Sequence, residues 1–351
     1  MNFVYNVVVY KQIFIILLVL SFVFGKVSLA VDSGLNIVTS PLPINLITEP
    51  GATVSAQLKI KNGGATPESL EIGIMKFSAY GDEGKPRLMD REKGDDYFDW
   101  VTFSEKDFVL NPNEWKTITA TFIVPASAAF GYYYAITFAR KNEDIPGGPR
   151  TTKVVGATAS LILLEVRVPN AIREVEVLEF STPKKVYEFL PTNFFIKLKN
   201  KGNVHVAPGG NIFIDRFGQK DVAILNINEF KGNVLPNSNR VFETVWKDGF
   251  PYFEQQTNGD TILTDSTGKP KLKLKWDWSQ VTKLRWGKYT ANLLLVYDDG
   301  TKDVPIEGKL DFWVIPWRII GVGSIILLLV LRGLWTTIKD LIKKIISRFK
   351  K

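Results

Sequence analysis

The C-terminal part of the chain carries an apolar run that constrains where the rest of the molecule can lie. In the twenty residues 312–331 the only charged side chain is Arg318. A helix of that length rises about 30 Å, the thickness of the hydrocarbon core of a bilayer. Tryptophans, whose indole rings favour the headgroup region, flank the run on both sides: Trp313, Trp317 and Trp335. The run predicts a transmembrane helix over 312–335.

The residues after this run are strongly basic. Arg318 and Arg332 lie near its two ends, where long side chains can bend towards water. Beyond Arg332 one acid, Asp340, stands among six basic residues: Lys339, Lys343, Lys344, Arg348, Lys350 and Lys351. By the positive-inside rule we predict a basic cytoplasmic tail at 336–351. Apolar residues recur there at helical spacing, so both an amphipathic helix on the inner leaflet and a plain stop-transfer flank fit this tail.

The first thirty residues have the pattern of an export signal. A polar start with Lys11 is followed by an apolar run at 13–24. Ser28 and Ala30 then occupy the positions that signal peptidase prefers. We predict a signal peptide at 1–30. An uncleaved N-terminal anchor is the alternative, and either reading places residues 31–312 outside the cell.

The formal charge of +8 does not indicate a nucleic-acid site. Residues 1–30 contain two basic residues and no acid, and 317–351 contain eight basic residues and one acid. The remaining exported part holds 34 basic and 35 acidic residues and is close to neutral. The excess charge therefore belongs to the export and anchoring segments.

Histidine and cysteine, which many enzymes and metal sites use, are nearly missing. The chain contains no cysteine and one histidine, His205. This excludes disulfide frameworks and His/Cys metal sites, and it removes Ser-His and Cys-His nucleophiles unless His205 serves. We predict no catalysis, no cofactor, and a structural or exposed strand position for His205.

Between the two ends the pattern is that of β-strands. Residues 53–61 alternate in period two and end at the turn signal Asn62-Gly63-Gly64. Further predicted strands are 69–80, 115–124, 131–140, 154–168, 194–199, 211–215, 221–227, 241–246, 289–297 and 309–314. Residues 247–273 alternate little and predict a long loop or a hairpin insertion. Pro169-Asn170 is the predicted junction between two domains.

The two halves of the exported part share a weak internal repeat. The matching stretches are Lys-Ile-Lys-Asn-Gly at 59–63 with Lys-Leu-Lys-Asn-Lys-Gly at 197–202, Leu-Asn-Pro-Asn at 110–113 with Leu-Pro-Asn at 235–237, and Gly-Tyr-Tyr-Tyr-Ala at 131–135 with Gly-Lys-Tyr-Thr-Ala at 287–291. Each half has the length of a seven- to nine-strand sandwich. We predict an all-β fold of two tandem immunoglobulin-like β-sandwiches, at 31–169 and 170–311, followed by the transmembrane helix.

An acidic loop at 82–99 is the one candidate metal site in the sequence. Its carboxylates, which could hold Ca²⁺ or act in pairs on a glycan, are Asp90, Glu92, Asp95, Asp96 and Asp99. Because Arg87, Arg91 and Lys93 are interleaved with them, a self-neutralised, solvated loop is the preferred interpretation. Calcium binding is the weaker alternative, and glycoside chemistry is disfavoured further.

Several short motifs occur together in a known family. They are Pro50-Gly51 followed by Asn62-Gly63, Phe122-Ile123-Val124-Pro125, Gly131 before Ala135-Ile136, Leu235-Pro236-Asn237-Ser238 and Gly287-Lys288-Tyr289. In these, and in its C-terminal helix and basic tail, the chain resembles the WxL-interacting proteins, surface proteins of Gram-positive bacteria. The resemblance implies a first domain that contacts peptidoglycan and a second that binds partner or host proteins. The chain departs from the family at 247–273 and 202–209, which leaves the second domain's partner open.

Together these patterns predict a single-pass protein of the cell membrane with its domains outside and its tail in the cytoplasm. Its two sandwiches are expected to bind or scaffold, with the membrane, peptidoglycan and surface or envelope proteins as partners and no nucleic acid. The alternative is an envelope-assembly or chaperone-like factor that holds secreted or membrane clients.

Overall fold

A computed structural model describes residues 34–141 and 156–349 of the chain. The signal peptide predicted at 1–30 lies outside these residues. The described part forms two β-sandwiches in tandem, followed by one long helix. The all-β class, the two sandwiches and the C-terminal helix that the sequence predicts are therefore confirmed.

Domain 1 consists of two facing sheets. Its strands in the described residues are β1 (Ile37–Ser40), β2 (Ile44–Thr48), β3 (Thr53–Asn62), β4 (Glu68–Tyr80), β5 (Lys85–Met89), β6 (Val101–Phe103), β7 (Asp107–Leu110), β8 (Trp115–Ile123), β9 (Phe130–Arg140) and β10 (Ala157–Val166). One sheet has the order β1-β3-β8-β6. The other has the order β2-β10-β9-β4-β5, with β7 also paired to β4. β2 runs parallel to β10, the last strand of the domain.

Domain 2 repeats this plan. Its strands are β11 (Val175–Ser181), β12 (Val186–Tyr187), β13 (Thr192–Asn200), β14 (Gly209–Arg216), β15 (Gln219–Ile227), β16 (Asn239–Trp246), β17 (Tyr252–Gln255), β18 (Thr257–Asn258), β19 (Thr261–Ile262), β20 (Leu272–Lys275), β21 (Gly287–Asp298) and β22 (Asp303–Val314). The sheets are β11-β13-β16 and β12-β22-β21-β14-β15. A short strand, β12, again runs parallel to the last strand, β22. The pairs β17-β20 and β18-β19 form the predicted hairpin insertion.

Each sandwich buries one face of every central strand. In β3, Leu58 and Ile60 are fully buried while Lys59 between them is exposed. In β13, Ile196 and Leu198 point into the second core in the same way. The largest fully buried side chains include Trp246, Tyr134, Tyr289 and Phe122. Because the period-two pattern matches these inward faces, the long strands occur close to where the sequence predicts them.

The internal repeat has a structural basis in two buried asparagines. Asn62 Nδ2 donates to the carbonyls of Thr66 at 2.7 Å and Leu110 at 3.0 Å. Asn200 Nδ2 donates to the carbonyls of Val204 and Val234, each at 2.8 Å. In both domains the asparagine Oδ1 accepts from the amide of the residue two positions later, at 2.8 Å. Each asparagine therefore ties the end of one strand to two neighbouring loops.

The C-terminal helix α1 spans Trp317–Phe349. The sequence predictions overlap at 312–314, which were assigned both to a strand at 309–314 and to a helix from 312; in the structure these residues end strand β22. They do so because Phe312 and Val314 pair with β21 and are fully buried in the core of domain 2. The stretch Trp317–Ile342 is long and apolar enough to cross a membrane. The helix continues without interruption through the predicted start of the tail at 336.

Candidate functional site

The turn between β4 and β5 of domain 1 contacts domain 2. The backbone carbonyl of Asp82 accepts a hydrogen bond from the amide of Val241 at 2.6 Å. The carboxylate of Asp82 pairs with Lys197 Nζ at 2.5 Å, and this hydrogen bond lowers the pKa of Asp82 from its usual value. A hairpin tip of domain 1 is thus held by β13 and β16 of domain 2.

A buried ion pair provides a second contact between the domains. Glu165, near the end of β10, pairs with Arg173 in the linker to β11; the Glu165 side chain is buried and that of Arg173 is mostly so. Arg173 also lies against Gly300 in the turn between β21 and β22, where an added Cβ would collide with the guanidinium. A third contact is the hydrogen bond from Asn233 Nδ2 to Asn45 Oδ1 at 3.1 Å. Because the contacts come from separate loops and strands, they fix the angle between the domains.

His205 lies buried in the same interface. Its ring contacts the Tyr133 ring of β9 edge-on, with the ring centres 5.8 Å apart. Burial, with a smaller contribution from the charge of Arg173, lowers the pKa of His205 to about 4. Of the two positions that the sequence allows for this histidine, the structure shows the structural one, at the contact between domains.

We expect the stability of the protein to fall between pH 6.5 and about 4 because of His205. The folded state keeps the imidazole neutral while the unfolded state binds a proton, so acid favours unfolding. At 1.4 kcal/mol per pKa unit, the free energy of unfolding falls by about 3 kcal/mol by the acid end of this window. Urea unfolding of the wild type and His205→Gln at about pH 7 and about pH 4.5 measures it. An equally steep pH dependence in the variant would contradict this assignment.

Beside these contacts the two domains enclose a groove of about 520 Å³. Domain 1 contributes residues of β4, β5 and β10, the turn between β4 and β5, and the segment before β2. Domain 2 contributes the loop before β16 and the first residues of that strand. The apolar side chains of the lining include Leu42, Phe77, Leu88, Ala159, Leu161, Leu163, Phe230, Val234 and Leu235. A groove with this lining favours apolar groups of a ligand, which gain free energy on leaving water.

The groove explains why strand β10 is apolar on both faces. Ile162 and Leu164 belong to the core of domain 1. Leu161 and Leu163, on the opposite face, lie in a separate small cluster with Leu235 of domain 2. A strand with one solvated face would alternate with polar residues. The run Ala-Ser-Leu-Ile-Leu-Leu at 159–164 is thus the sequence signal of this site.

Arg240, on β16, is a half-buried cation in the groove. It donates from Nη1 to the carbonyl of Asn233 at 2.7 Å, and its guanidinium lies 5.1 Å from the centre of the Phe242 ring. Gly84 and Gly232 flank it, and a Cβ at either position would collide with the guanidinium. Burial lowers its pKa, and within the described part of the chain no carboxylate pairs with it. Such a guanidinium favours an anionic ligand group, above all a carboxylate that can accept two hydrogen bonds.

The mouth of the groove carries exposed apolar side chains. Phe230 is 92% exposed, and Leu42 and Leu88 are also exposed. An exposed aromatic side chain gains little in the isolated protein but becomes useful when a ligand covers it. The groove can therefore bind an elongated apolar ligand that extends beyond its floor.

The acidic loop has a structural arrangement of its own. Glu92 and Asp95 both pair with Lys76 Nζ, at 2.9 and 2.8 Å, and Asp99 pairs with Arg91 at 2.5 Å. Asp96 begins a short 3-10 helix at Asp96–Trp100. Within the described residues, no group of histidine, aspartate and glutamate side chains could hold a metal ion. Three of the five predicted carboxylates are thus neutralised by a cation, two of them by Lys76 of β4 and one by Arg91 of the loop itself.

The residues predicted for the membrane anchor fall on two elements. Trp313 lies on β22, and the predicted residues from Trp317 onwards lie on α1: Trp317, Arg318, Arg332, Trp335, Lys339, Lys343 and Lys344. Arg318 pairs with Glu188 of domain 2, Nε to Oε1 at 3.2 Å. The first turn of the helix is therefore attached to the domain before it.

Sequence reasoning did not identify Arg240 or Phe230 as site residues. Neither has a local signal, because one lies at the start of a strand and the other in a loop between strands. The strand predicted at 69–80 does end directly before the hairpin turn that meets Arg240, but the end of a strand does not reveal what the following turn contacts.

No protein-family model matches this sequence, and no curated protein matches it. The class 5 fimbriae chaperone CfaA is 16% identical, with 69% of this chain and 100% of that chain covered and a TM-score of 0.33. A chain of the CsuC-CsuE chaperone-tip adhesion subunit pre-assembly complex from Acinetobacter baumannii is 12% identical, with 78% of this chain and 97% of that chain covered and a TM-score of 0.33. The YadV chaperone is 10% identical, covering 78% and 100%, with a TM-score of 0.32. Likenesses at TM-scores near 0.3 do not transfer a function, and the resemblance to WxL-interacting proteins stays a prediction.

Proposed function

We propose that this chain is a membrane-anchored binding protein that holds an apolar polypeptide segment of an exported or membrane client in the groove between its domains. The observation that carries the proposal is an apolar groove that contains an unpaired guanidinium. Apolar side chains of the client would cover Leu88 and Leu161, and a carboxylate of the client would meet Arg240. Helix α1 would keep the groove close to the membrane surface, where exported chains emerge.

The contacts between the domains support a binding role. The Asp82 turn, the Glu165–Arg173 pair and the packing of His205 hold the two walls of the groove in place. A preformed groove binds more tightly than a flexible one because less conformational entropy is lost on binding. This proposal develops the client-holding alternative. A wall scaffold, in which domain 1 contacts peptidoglycan, stays a prediction.

We expect Arg240→Gln to weaken the binding of an apolar peptide with a free C-terminal carboxylate about tenfold or more, since hydrogen bonds to charged groups contribute about 1.5–3 kcal/mol. Amidating the peptide should have a similar effect on the wild type and little further effect on the variant. Phe230→Ala should also weaken binding, without a folding defect, because the ring is 92% exposed. Fluorescence anisotropy with the full-length chain in nanodiscs measures all three.

Trp115→Ala is the matched control, because Trp115 is 52% exposed on the other sheet of domain 1 and does not line the groove. Its affinity should equal that of the wild type. Sedimentation of the same proteins with insoluble peptidoglycan runs in parallel. Retention on peptidoglycan without any peptide binding would reject the client-holding role and favour the wall scaffold.

A further inference from the structure

Domain 2 has an exposed aromatic surface at the end opposite domain 1. The strand register places Thr192, Trp246, Tyr289 and Val314 at this end, because Thr192 pairs with Trp246 and Tyr289 lies two residues from the partner of Val314. The exposed aromatic residues here, called the aromatic end below, are Phe217, Trp276, Trp278 and Trp286. Trp278 is 69% exposed, Phe217 67% and Trp286 53%.

The side chains of the aromatic end form two pairs of contacting rings. The rings of Phe217 and Trp286 have centres 6.1 Å apart, and the guanidinium of Arg216 lies 4.7 Å from the centre of the Trp286 ring. The rings of Trp276 and Trp278 stack with centres 5.8 Å apart. Within the described residues, Arg216 pairs with no carboxylate, and its Nε is buried without a hydrogen-bond partner. The surface is thus preorganised but exposed to solvent.

Helix α1 starts from this same end. Trp286 precedes Gly287, which pairs with Val314, the last residue of β22. Only two residues separate Val314 from Trp317, and three steps of chain reach at most about 10 Å. The amide of Ile315 donates to the carbonyl of Tyr187 at 2.7 Å, and Arg318 pairs with Glu188. The aromatic end therefore lies within a short, fixed distance of the helix start.

We propose that the aromatic end lies in the headgroup region of the bilayer that α1 crosses, so that domain 2 rests on the membrane. This inference depends on the membrane anchoring of the proposed function and not on the client that the groove holds. Tryptophan is the side chain most suited to that region, since its ring is apolar and its N–H can bond to water or lipid. Arg216 would meet lipid phosphates there.

Contact of the aromatic end with the bilayer would fix the orientation of the molecule on the membrane. A protein tethered by a flexible linker would point its groove in any direction. A domain attached to the helix by Arg318–Glu188 and resting on four aromatic side chains holds domain 1, and the groove, at a set height above the lipid. Client segments leaving the membrane would then meet the groove at a defined distance.

Single-cysteine labelling tests this, because the chain has no cysteine of its own. Nitroxide labels are placed on Trp278→Cys and Trp286→Cys, on Trp115→Cys as a control of similar exposure in domain 1, and on Leu328→Cys in the middle of α1. The full-length variants are reconstituted in vesicles of phosphatidylcholine and phosphatidylglycerol. Collisions with oxygen, which concentrates in lipid, and with a water-soluble nickel chelate are measured by electron paramagnetic resonance.

We expect the labels at 278 and 286 to lose access to the chelate while keeping access to oxygen, at a depth between those at 328 and 115. Chelate access at 278 and 286 equal to that at 115, with 328 in hydrocarbon, would overturn the inference and leave the anchor intact. Chelate access at 328 would show that the anchor itself fails. Protection of 278 and 286 from both reagents would place protein, such as a second copy, on this surface and would also overturn the inference.

Discussion

Asn200→Asp should lower the free energy of unfolding of domain 2 by about 3 kcal/mol or more, because it replaces a buried donor by a buried charge. The amide nitrogen of Asn200 donates to two carbonyl oxygens at 2.8 Å and is fully buried. An aspartate oxygen in its place would face both carbonyls without a proton to share. Asn62→Asp should have the same effect on domain 1, since its amide makes the same two kinds of bond.

Urea unfolding of the full-length variants in detergent measures the effect. Asn258→Asp is the control, since this exposed asparagine lies in the hairpin insertion. We expect it to leave the unfolding midpoint unchanged. If Asn200→Asp and Asn62→Asp behaved like the control, the two asparagines would not be the links that make each repeat a stable unit.

The second large effect concerns the ion pair between the domains. Arg173→Met removes the close partner of the Glu165 carboxylate, whose side chain is 5% exposed, and leaves only the exposed Arg167, whose Nε lies 3.9 Å away. Removing one member of a buried pair costs about 3–5 kcal/mol. Glu165→Met should cost a similar amount for the same reason. We also expect both single variants to loosen the angle between the domains, because the pair links β10 to the turn at Gly300.

The double variant Glu165→Met with Arg173→Met separates charge from packing. With no unpaired charge left inside, it should recover most of the lost stability. Urea unfolding gives the coupling free energy, and small-angle X-ray scattering reports the angle between domains. Additive losses in the double variant would show that the two side chains do not depend on each other.

Much of the fold could be predicted because it depends on local patterns. The strands β3, β4 and β13 alternate in period two, and a strand with one buried face must alternate in this way. The buried asparagines of the repeat stand directly before Gly63 and Lys201-Gly202, where turn signals are strong. The seven-residue strand β11 was not predicted. The short strands β1, β2, β5, β6, β7 and β12 were not predicted either. With two to five residues each, they lack the length for a period, and pairing with distant strands decides their existence.

The candidate site was harder to predict from the sequence than the fold. The acidic loop was predicted as a candidate site because its charged residues are neighbours along the chain. In the structure three of its carboxylates pair with Lys76 and Arg91. Arg240 was not predicted as a site residue, although the structure places it between Gly84 of one domain and Gly232 of the other. Its unpaired charge is a property of what surrounds it in space.

The sequence by itself determines the all-β class, the two-domain division and an apolar segment long enough to cross a membrane. These depend on period, composition and length, which neighbouring residues carry. Only the tertiary structure decides whether residues 312–314 belong to the predicted strand at 309–314 or to the predicted helix from 312, that the domains enclose an apolar groove, and that aromatic side chains from separate segments gather beside the helix start. Each of these joins residues far apart in the chain, and the burial and pairing that produce them arise only when the strands meet.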